Sequence, residues 1–216
     1  VTSGGLASKL LTAWGLPGDR LLVGGAIRQG DLLRRTGGRM PQPRASTVPS
    51  KVLLAMPIGL DEAAEALMVF LDAFGDRPQY RLVVRCHPSN SLPKVLGALG
   101  ISGLPSGAIE GIGDFTDLLS CSDVVVYTTS TASLEAVASG VPVVHLETLS
   151  TLDMDALELE PRARPTVASA DELRLAVASI VADRERFVHE RWPVWQRLVA
   201  GYFAPVTEAT YRAFRL

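Results

Sequence analysis

Five hydroxyl residues crowd into the six positions Thr128-Thr129-Ser130-Thr131-Ala132-Ser133, directly ahead of a helical pattern that carries Glu135. A helix start of this composition offers unpaired backbone N–H groups, side-chain donors and the positive end of a dipole, which suits it to an anion such as a phosphate. Ordinary N-capping by one Ser or Thr is the alternative, and it accounts for one hydroxyl of the five. A second group is Arg85-Cys86-His87-Pro88-Ser89, where the proline holds His87 extended. Its imidazole can donate a hydrogen bond to a phosphate or a leaving-group oxygen, the alternative being a packed or capping histidine. Pro57-Ile58-Gly59 is a third group. His145 lies inside an apolar run and His189 in a late helical segment, and both are expected to be structural.

Each of the three groups follows a run patterned as a buried strand: 51–58, 80–86 and 123–127. A fourth strand is expected at 141–146, and near-continuous apolar runs of this length fit a parallel sheet covered on both faces. Between them the spacing predicts helices over 61–74, 92–99, 114–121 and 131–139, the first opened by Asp61 and Glu62 and striped by Leu67, Phe70, Leu71 and Phe74. Strand and helix alternating through short turns imply right-handed crossovers and an α/β, Rossmann-like fold. In such a sheet ligands bind beyond the carboxyl ends of the strands, where all three groups fall. Ahead of this unit the pattern predicts a short helix with Leu6, Leu10, Leu11 and Trp14 on one stripe. A buried strand over 20–23 follows, ended by Gly24-Gly25. After Glu147 an acidic loop runs to Asp171, a helix N-cap, and further helices are expected over 183–198 and 206–214.

The expected division is therefore 1–33, a remnant or junction of a preceding domain; 34–50, a Pro/Gly/Arg-rich linker; and 51–216, a Rossmann-like domain with C-terminal helices. At 216 residues, 47% hydrophobic and 20% charged, the chain has the apolar material for a packed core, which excludes global disorder. No apolar run approaches the ~20 residues of a membrane-spanning helix. Two cysteines, Cys86 and Cys121, offer neither a disulfide framework nor a zinc site. The chain begins at Val1, without Met or a leader pattern, and is expected to be a fragment, a processed chain or the ordered part of a longer one. Residues 1–60 hold eight Lys/Arg against two Asp, whereas 61–216 hold thirteen against twenty-one Asp/Glu. The early excess, Arg28, Arg34, Arg35, Arg39, Arg44 and Lys51, fits either a solvated linker or attraction to an anionic ligand or acidic lipid surface. With 6% aromatic residues and none interleaved with this cluster, no nucleic-acid partner is expected.

Arg85-Cys86-His87-Pro88, the strand 123–127, Ser130-Thr131, and Leu134-Glu135-Ala136 followed by Ser139-Gly140-Val141-Pro142-Val143-Val144 resemble the C-terminal, nucleotide-sugar-binding half of GT-B glycosyltransferases. The nearest likeness is to the bacterial surface-polysaccharide and sialyltransferase-like group. The resemblance spans about 51–147, and Gly24-Gly25-Ala26-Ile27-Arg28 resembles the junction between the two GT-B domains. It implies a nucleotide-sugar substrate whose phosphate meets His87, Ser130 and Thr131, with Ser133 beside them, Glu135 near the ribose, and Gly25 and Arg28 at the junction. It further implies a glycan or lipid-linked acceptor, polysaccharide biosynthesis, a cytoplasmic location at the inner face of the membrane with peripheral association, and no cofactor or metal; no DxD-like motif lies at a strand end. The catalytic base is unassigned, with His87 the candidate. The isolated chain is expected to be inactive, since the acceptor side of such enzymes lies in the first domain. UDP-N-acetylglucosamine 2-epimerases share the Glu-Ala and Gly-x-Pro arrangement but carry a glycine pair where this chain has Thr131-Ala132. A non-catalytic nucleotide-binding module is the third possibility.

Overall fold

The computed structural model describes residues 2–36, 40, 49–149 and 155–212. Its centre is a six-stranded sheet in the order β3-β2-β1-β4-β5-β6, with every neighbouring pair parallel. The strands are β1 (Ser50–Ala55), β2 (Tyr80–Arg85), β3 (Ala108–Glu110), β4 (Val124–Tyr127), β5 (Val143–Leu146) and β6 (Thr166–Val167). Helices α3 (Leu60–Phe74), α4 (Leu92–Ala98), α5 (Phe115–Ser120), α6 (Ala132–Ala138), α7 (Ala170–Ala182) and α8 (Arg184–Tyr202) cover its two faces. The earlier α1 (Gly5–Ala13) and α2 (Gly30–Thr36) and the later α9 (Glu208–Arg212) complete the set among the described residues. The α/β, Rossmann-like expectation holds.

Alternation along the strands sends successive side chains to opposite cores. Val52, Leu54, Val124, Val126 and Val144 pack under α3, α4 and α7, against Leu67, Phe70, Phe74, Val95, Leu173 and Val177. Leu53, Val83, Val125, Tyr127 and Val143 meet Leu119, Leu134, Val137, Trp192 and Trp195 on the other face. Full burial of an aliphatic or aromatic side chain contributes about 1.5–3 kcal/mol, so these two layers dominate the stability of the sheet. Local signals set the helix starts. Asp114 accepts from the Thr116 N–H (2.7 Å) at α5, and the two acids Asp61 and Glu62 sit in the first turn of α3. For α7 the N-cap is Ser169, accepting from the Glu172 N–H (3.3 Å), while Glu172 reaches back to the Ala168 N–H (2.8 Å); Asp171, expected as the cap, sits in the first turn.

Several early expectations need correction. Residues 20–23 are not a buried strand: Gly18–Arg20 is a 3₁₀ turn, Arg20 and Leu22 are exposed, and a single bridge pairs Val23 with Thr2. Two neighbouring glycines and the lack of a ladder partner leave that apolar run short of a strand. Trp14 is not on the inner stripe of α1 but 73% exposed. Residues 27–36 form a 3₁₀ turn and α2, with Leu32 buried, so helix extends into the start of the expected linker. Residues 37–39 and 41–48 of that linker lie outside the described residues, as do 213–214 of the last expected helix. Strand β3 sits in the glycine-rich stretch 100–113, where no element is expected, and β6 in the loop expected after Glu147; with three and two residues they are too short to show a period.

Candidate functional site at the carboxyl rim of the sheet

Parallel pairing aligns Ala55 with both Arg85 and Tyr127, so β2, β1 and β4 end at one level and their exits open on one rim. His87, two residues past β2, and Ser130, three past β4, therefore flank the exit of β1, as the positions of the motifs predict. Backbone and side-chain bonds fix the rim. The Met56 N–H donates to Arg85 O (3.0 Å), Asn90 Nδ2 donates to Ile58 O (2.7 Å), and Arg85 Nη1 reaches across to Gly111 O beyond β3 (2.8 Å). The turn 87–90 is closed by the Asn90 N–H on His87 O (2.9 Å).

Within that turn the Ser89 N–H donates to His87 Nδ1 (3.2 Å), which leaves Nε2 as the donor of a neutral imidazole. His87 is partly exposed, so its imidazole is accessible to a ligand on the rim. Next to it Cys86 is half-buried, and burial, helped by Glu110 and opposed by Arg85, pushes its thiol up to about 11. Its Sγ lies 3.8 Å from Met56 Sδ, a packing contact.

The β4 exit spends its five hydroxyls differently. Thr128 is 1% exposed, and its Oγ1 has no hydrogen-bond partner among the described residues. Thr129 Oγ1 donates to Glu62 Oε1 in the first turn of α3 (2.8 Å). Ser130 Oγ accepts from the Ala132 N–H (3.1 Å), closing the turn into α6. Thr131 is exposed and its hydroxyl makes no hydrogen bond among the described residues. Ser133 is fully buried, with Oγ donating to Ser130 O (2.9 Å); it braces the loop from inside. One hydroxyl therefore caps and one braces, while Thr128 and Thr131 are unspent.

Glu135 lies one turn into α6, partly buried, with Oε1 accepting from Gln29 Nε2 (3.1 Å). This contact brings the early segment against the rim. Gly25 has φ +89°, in the region that favours glycine, and a Cβ there would stand 3.1 Å from Pro205 O. Arg28 is exposed on the 3₁₀ turn that follows. Glu62, Asn90 and Gln29 were not singled out in the sequence: Glu62 carried only a helix-dipole signal, and nothing in the spacing pointed to the other two.

Behind the rim, Tyr127 OH donates to Asp155 Oδ1 (2.8 Å), which also accepts from the Leu157 N–H (3.0 Å); Asp155 Oδ2 takes Arg164 Nε (2.6 Å). Burial first, then the Asp155 charge, hold the Tyr127 phenol well above its ordinary value, so it stays the donor. His145 is buried beside it, ring centroids 5.3 Å apart, in a structural setting; His189 is exposed on α8. No group of three or more His, Cys, Asp or Glu residues suited to a metal occurs among the described residues. A concavity of about 720 Å³ lined by Arg77, Tyr80, Arg81 and Gly107 sits at the amino ends of β2 and β3, away from the rim.

The sheet order, parallel pairing and helix cover are those of one Rossmann-like half of a GT-B fold. Among solved structures the chain is similar to the glycosyltransferase of kitacinnamycin, with TM-score 0.56 and 18% identity over 82% of this chain and 46% of that one. It is also similar to the spinosyn rhamnosyltransferase SpnG complexed with thymidine diphosphate (TM-score 0.56, 14% identity, 82% and 48% covered). A UDP-N-acetylglucosamine 2-epimerase from Listeria monocytogenes aligns over 98% of this chain and 56% of its own, with TM-score 0.52 and 19% identity. The chain thus spans about half the length of these proteins, and at such identities the likeness establishes the fold. No protein-family model matches the sequence, and no curated protein matches it.

Proposed function

We propose that this chain is the donor-binding half of a GT-B glycosyltransferase, holding a nucleotide-sugar on the carboxyl rim for transfer to a surface glycan or lipid-linked acceptor. The observation that carries the reading is the convergence of three strand exits on one rim, supplying the His87 imidazole and the unspent hydroxyls of Thr128 and Thr131. A buried hydroxyl without a partner costs about 1–3 kcal/mol, a cost that a bound acceptor oxygen removes. Thymidine diphosphate in the SpnG complex supports a nucleotide as the ligand of this fold.

In the proposed transfer, the bond between the anomeric carbon and the donor phosphate oxygen breaks. The acceptor oxygen bonds to that carbon and gives its proton to a base, and negative charge collects on the departing phosphate. His87 Nε2–H and the Ser130 and Thr131 hydroxyls stabilise that charge as it develops, and donors already held in place by the loop need little reorganisation. His87 remains the candidate catalytic residue, and no metal is required by this division of labour. Residues 1–33 serve as the junction and 51–216 as the donor domain, with 34–50 between them. The exposed Arg28, Arg34 and Arg35 suit peripheral contact with an acidic membrane face in the cytoplasm; no helix among the described residues is long and apolar enough to cross a membrane.

A thermal-shift panel of CMP, UDP, GDP and CDP conjugates tests the reading. Stabilisation by one base class, lost in Ser130→Ala/Thr131→Ala, supports it; no shift with any nucleotide sinks it. The epimerase alignment, which spans 98% of this chain against 99% for a glycosyltransferase from Rickettsia africae, supports a 2-epimerase-like enzyme as the second reading. UDP-N-acetylglucosamine turned over without any acceptor selects that alternative, and binding without turnover in any longer form of the protein selects a non-catalytic module.

A further inference from the structure

Gln29 is the one side chain among the described residues that bonds to the Glu135 carboxylate, and 106 positions separate the two. A carboxylate only accepts, so the amide nitrogen of Gln29 must be the group facing it. This bond occupies Oε1, and Oε2 takes no hydrogen bond among the described residues. Gln29 is itself held in place: its N–H donates to Ala26 O (3.1 Å), the Ala26 N–H donates to Ala204 O (2.8 Å), and Ala26 is 1% exposed. The amide is therefore presented by a turn anchored to the chain beyond α8.

A partly buried carboxylate beside a phosphate site repels the phosphate and selects what can donate to it. On a nucleotide the nearest such donors are the ribose hydroxyls. We infer that Gln29 is a positioning residue that fixes Glu135 so that Oε2 accepts from the ribose hydroxyls of the nucleotide, making the early segment part of the selectivity for ribose. The inference rests on the proposed nucleotide site and assigns a role to a residue outside the donor domain.

The test measures binding of UDP and its 2′,3′-dideoxy counterpart, and of GDP and its dideoxy counterpart, to the 216-residue chain by calorimetry. Wild type, Gln29→Met, which keeps length but cannot donate, and Gln29→Lys, which restores a donor, are compared. The ribo-to-dideoxy affinity ratio should fall about three- to tenfold in Gln29→Met, the scale of one hydrogen bond, with dideoxy affinity unchanged, and recover in Gln29→Lys. An unchanged ratio in Gln29→Met overturns the inference while leaving the nucleotide site standing. Equal loss of both nucleotides in Gln29→Met and Gln29→Lys also overturns it, because that pattern reports general loosening. Absence of binding by every nucleotide to wild type overturns the proposed function, and the inference with it.

Discussion

Thr129 and Glu62 are joined across 2.8 Å, hydroxyl to carboxylate, tying the exit of β4 to the first turn of α3. The rim thus holds an acid on the side where the proposed phosphate binds, and its charge opposes the phosphate. Glu62→Gln keeps an acceptor for Thr129 and removes the charge. Nucleotide affinity should rise about three- to tenfold, as expected for one like-charge contact near a protein surface, and the gain should shrink with added salt. Titrations at two ionic strengths check this; a fall in affinity would mean that Glu62 contacts the ligand directly.

Replacing Ser130 and Thr131 with Ala should weaken nucleotide binding by about 1–3 kcal/mol, the scale of hydrogen bonds to charged groups. Ser130→Ala also removes the acceptor of the Ala132 N–H, so part of its effect comes from the turn, whereas Thr131→Ala alone leaves every hydrogen bond of the loop among the described residues in place. His87→Ala should lower affinity or turnover, while His189→Ala, on the exposed side of α8, should change neither. Calorimetry on the set decides, and equal affinity throughout would remove this loop from the ligand site.

The two thiols should separate by reactivity. A thiol pushed up to about 11 leaves roughly a thousandth of Cys86 as thiolate at pH 8, and the thiolate is the nucleophile. Cys121 is exposed, so iodoacetamide at pH 8 should label it first and spare Cys86. Because the acid form of Cys86 persists until pH nears 11, its labelling should rise steeply above pH 9. Mass spectrometry of a timed reaction reads both sites, and early labelling of Cys86 would contradict its burial against Met56.

Asp155 and Arg164 form an ion pair with side chains 0% and 7% exposed. Removing one partner strands the other charge, so Asp155→Ala should cost about 3–5 kcal/mol. Tyr127→Phe removes one neutral donor to that carboxylate and should cost about 1.5–3 kcal/mol, the range for hydrogen bonds to charged groups. Urea denaturation measures both. A smaller loss for Asp155→Ala than for Tyr127→Phe would show that the phenol, not the guanidinium, holds this corner.

Nucleotide should bind to the 216-residue chain without acceptor-dependent release of nucleotide from a sugar donor, since positioning of two reactants supplies much of such a rate. A coupled assay with glycan extracts checks it. Turnover there would place the base within these residues and bring Asp114 and Glu147 into consideration beside His87.

The central architecture was legible because β1, β2, β4 and β5 are apolar on both faces and end at marked exits, His87-Pro88 after β2 and the hydroxyl run after β4. The rim followed from parallel pairing alone. What escaped the sequence was tertiary. Ser133 looks equivalent to Ser130 in the run, yet the first turn of α6 rotates it inward. Glu62 and Gln29 reach the rim from 67 and 106 positions away from their partners, and no local pattern encodes such meetings. Residues 20–23 have the composition of a strand, but a strand needs a neighbour, and among the described residues a single bridge to Thr2 is all that Val23 forms.

The stitching of the early segment to the end of α8 has a mechanical consequence. The Thr2 N–H donates to Leu22 O (2.8 Å), the Gly24 N–H to Thr2 O (3.0 Å), the Ala204 N–H to Ser3 O (2.9 Å) and the Ala26 N–H to Ala204 O (2.8 Å), so the backbone passes one spot three times. Gly4 completes the seam, for a Cβ there would come within 2.4 Å of Gly201 O. Tension applied through residues 2–26 is delivered first to α8 and its tail. Because α8 packs on α6, whose first turn opens from Ser130, and Gln29 bonds to Glu135 on that same helix, such a force acts on the Ser130 side of the rim rather than on His87.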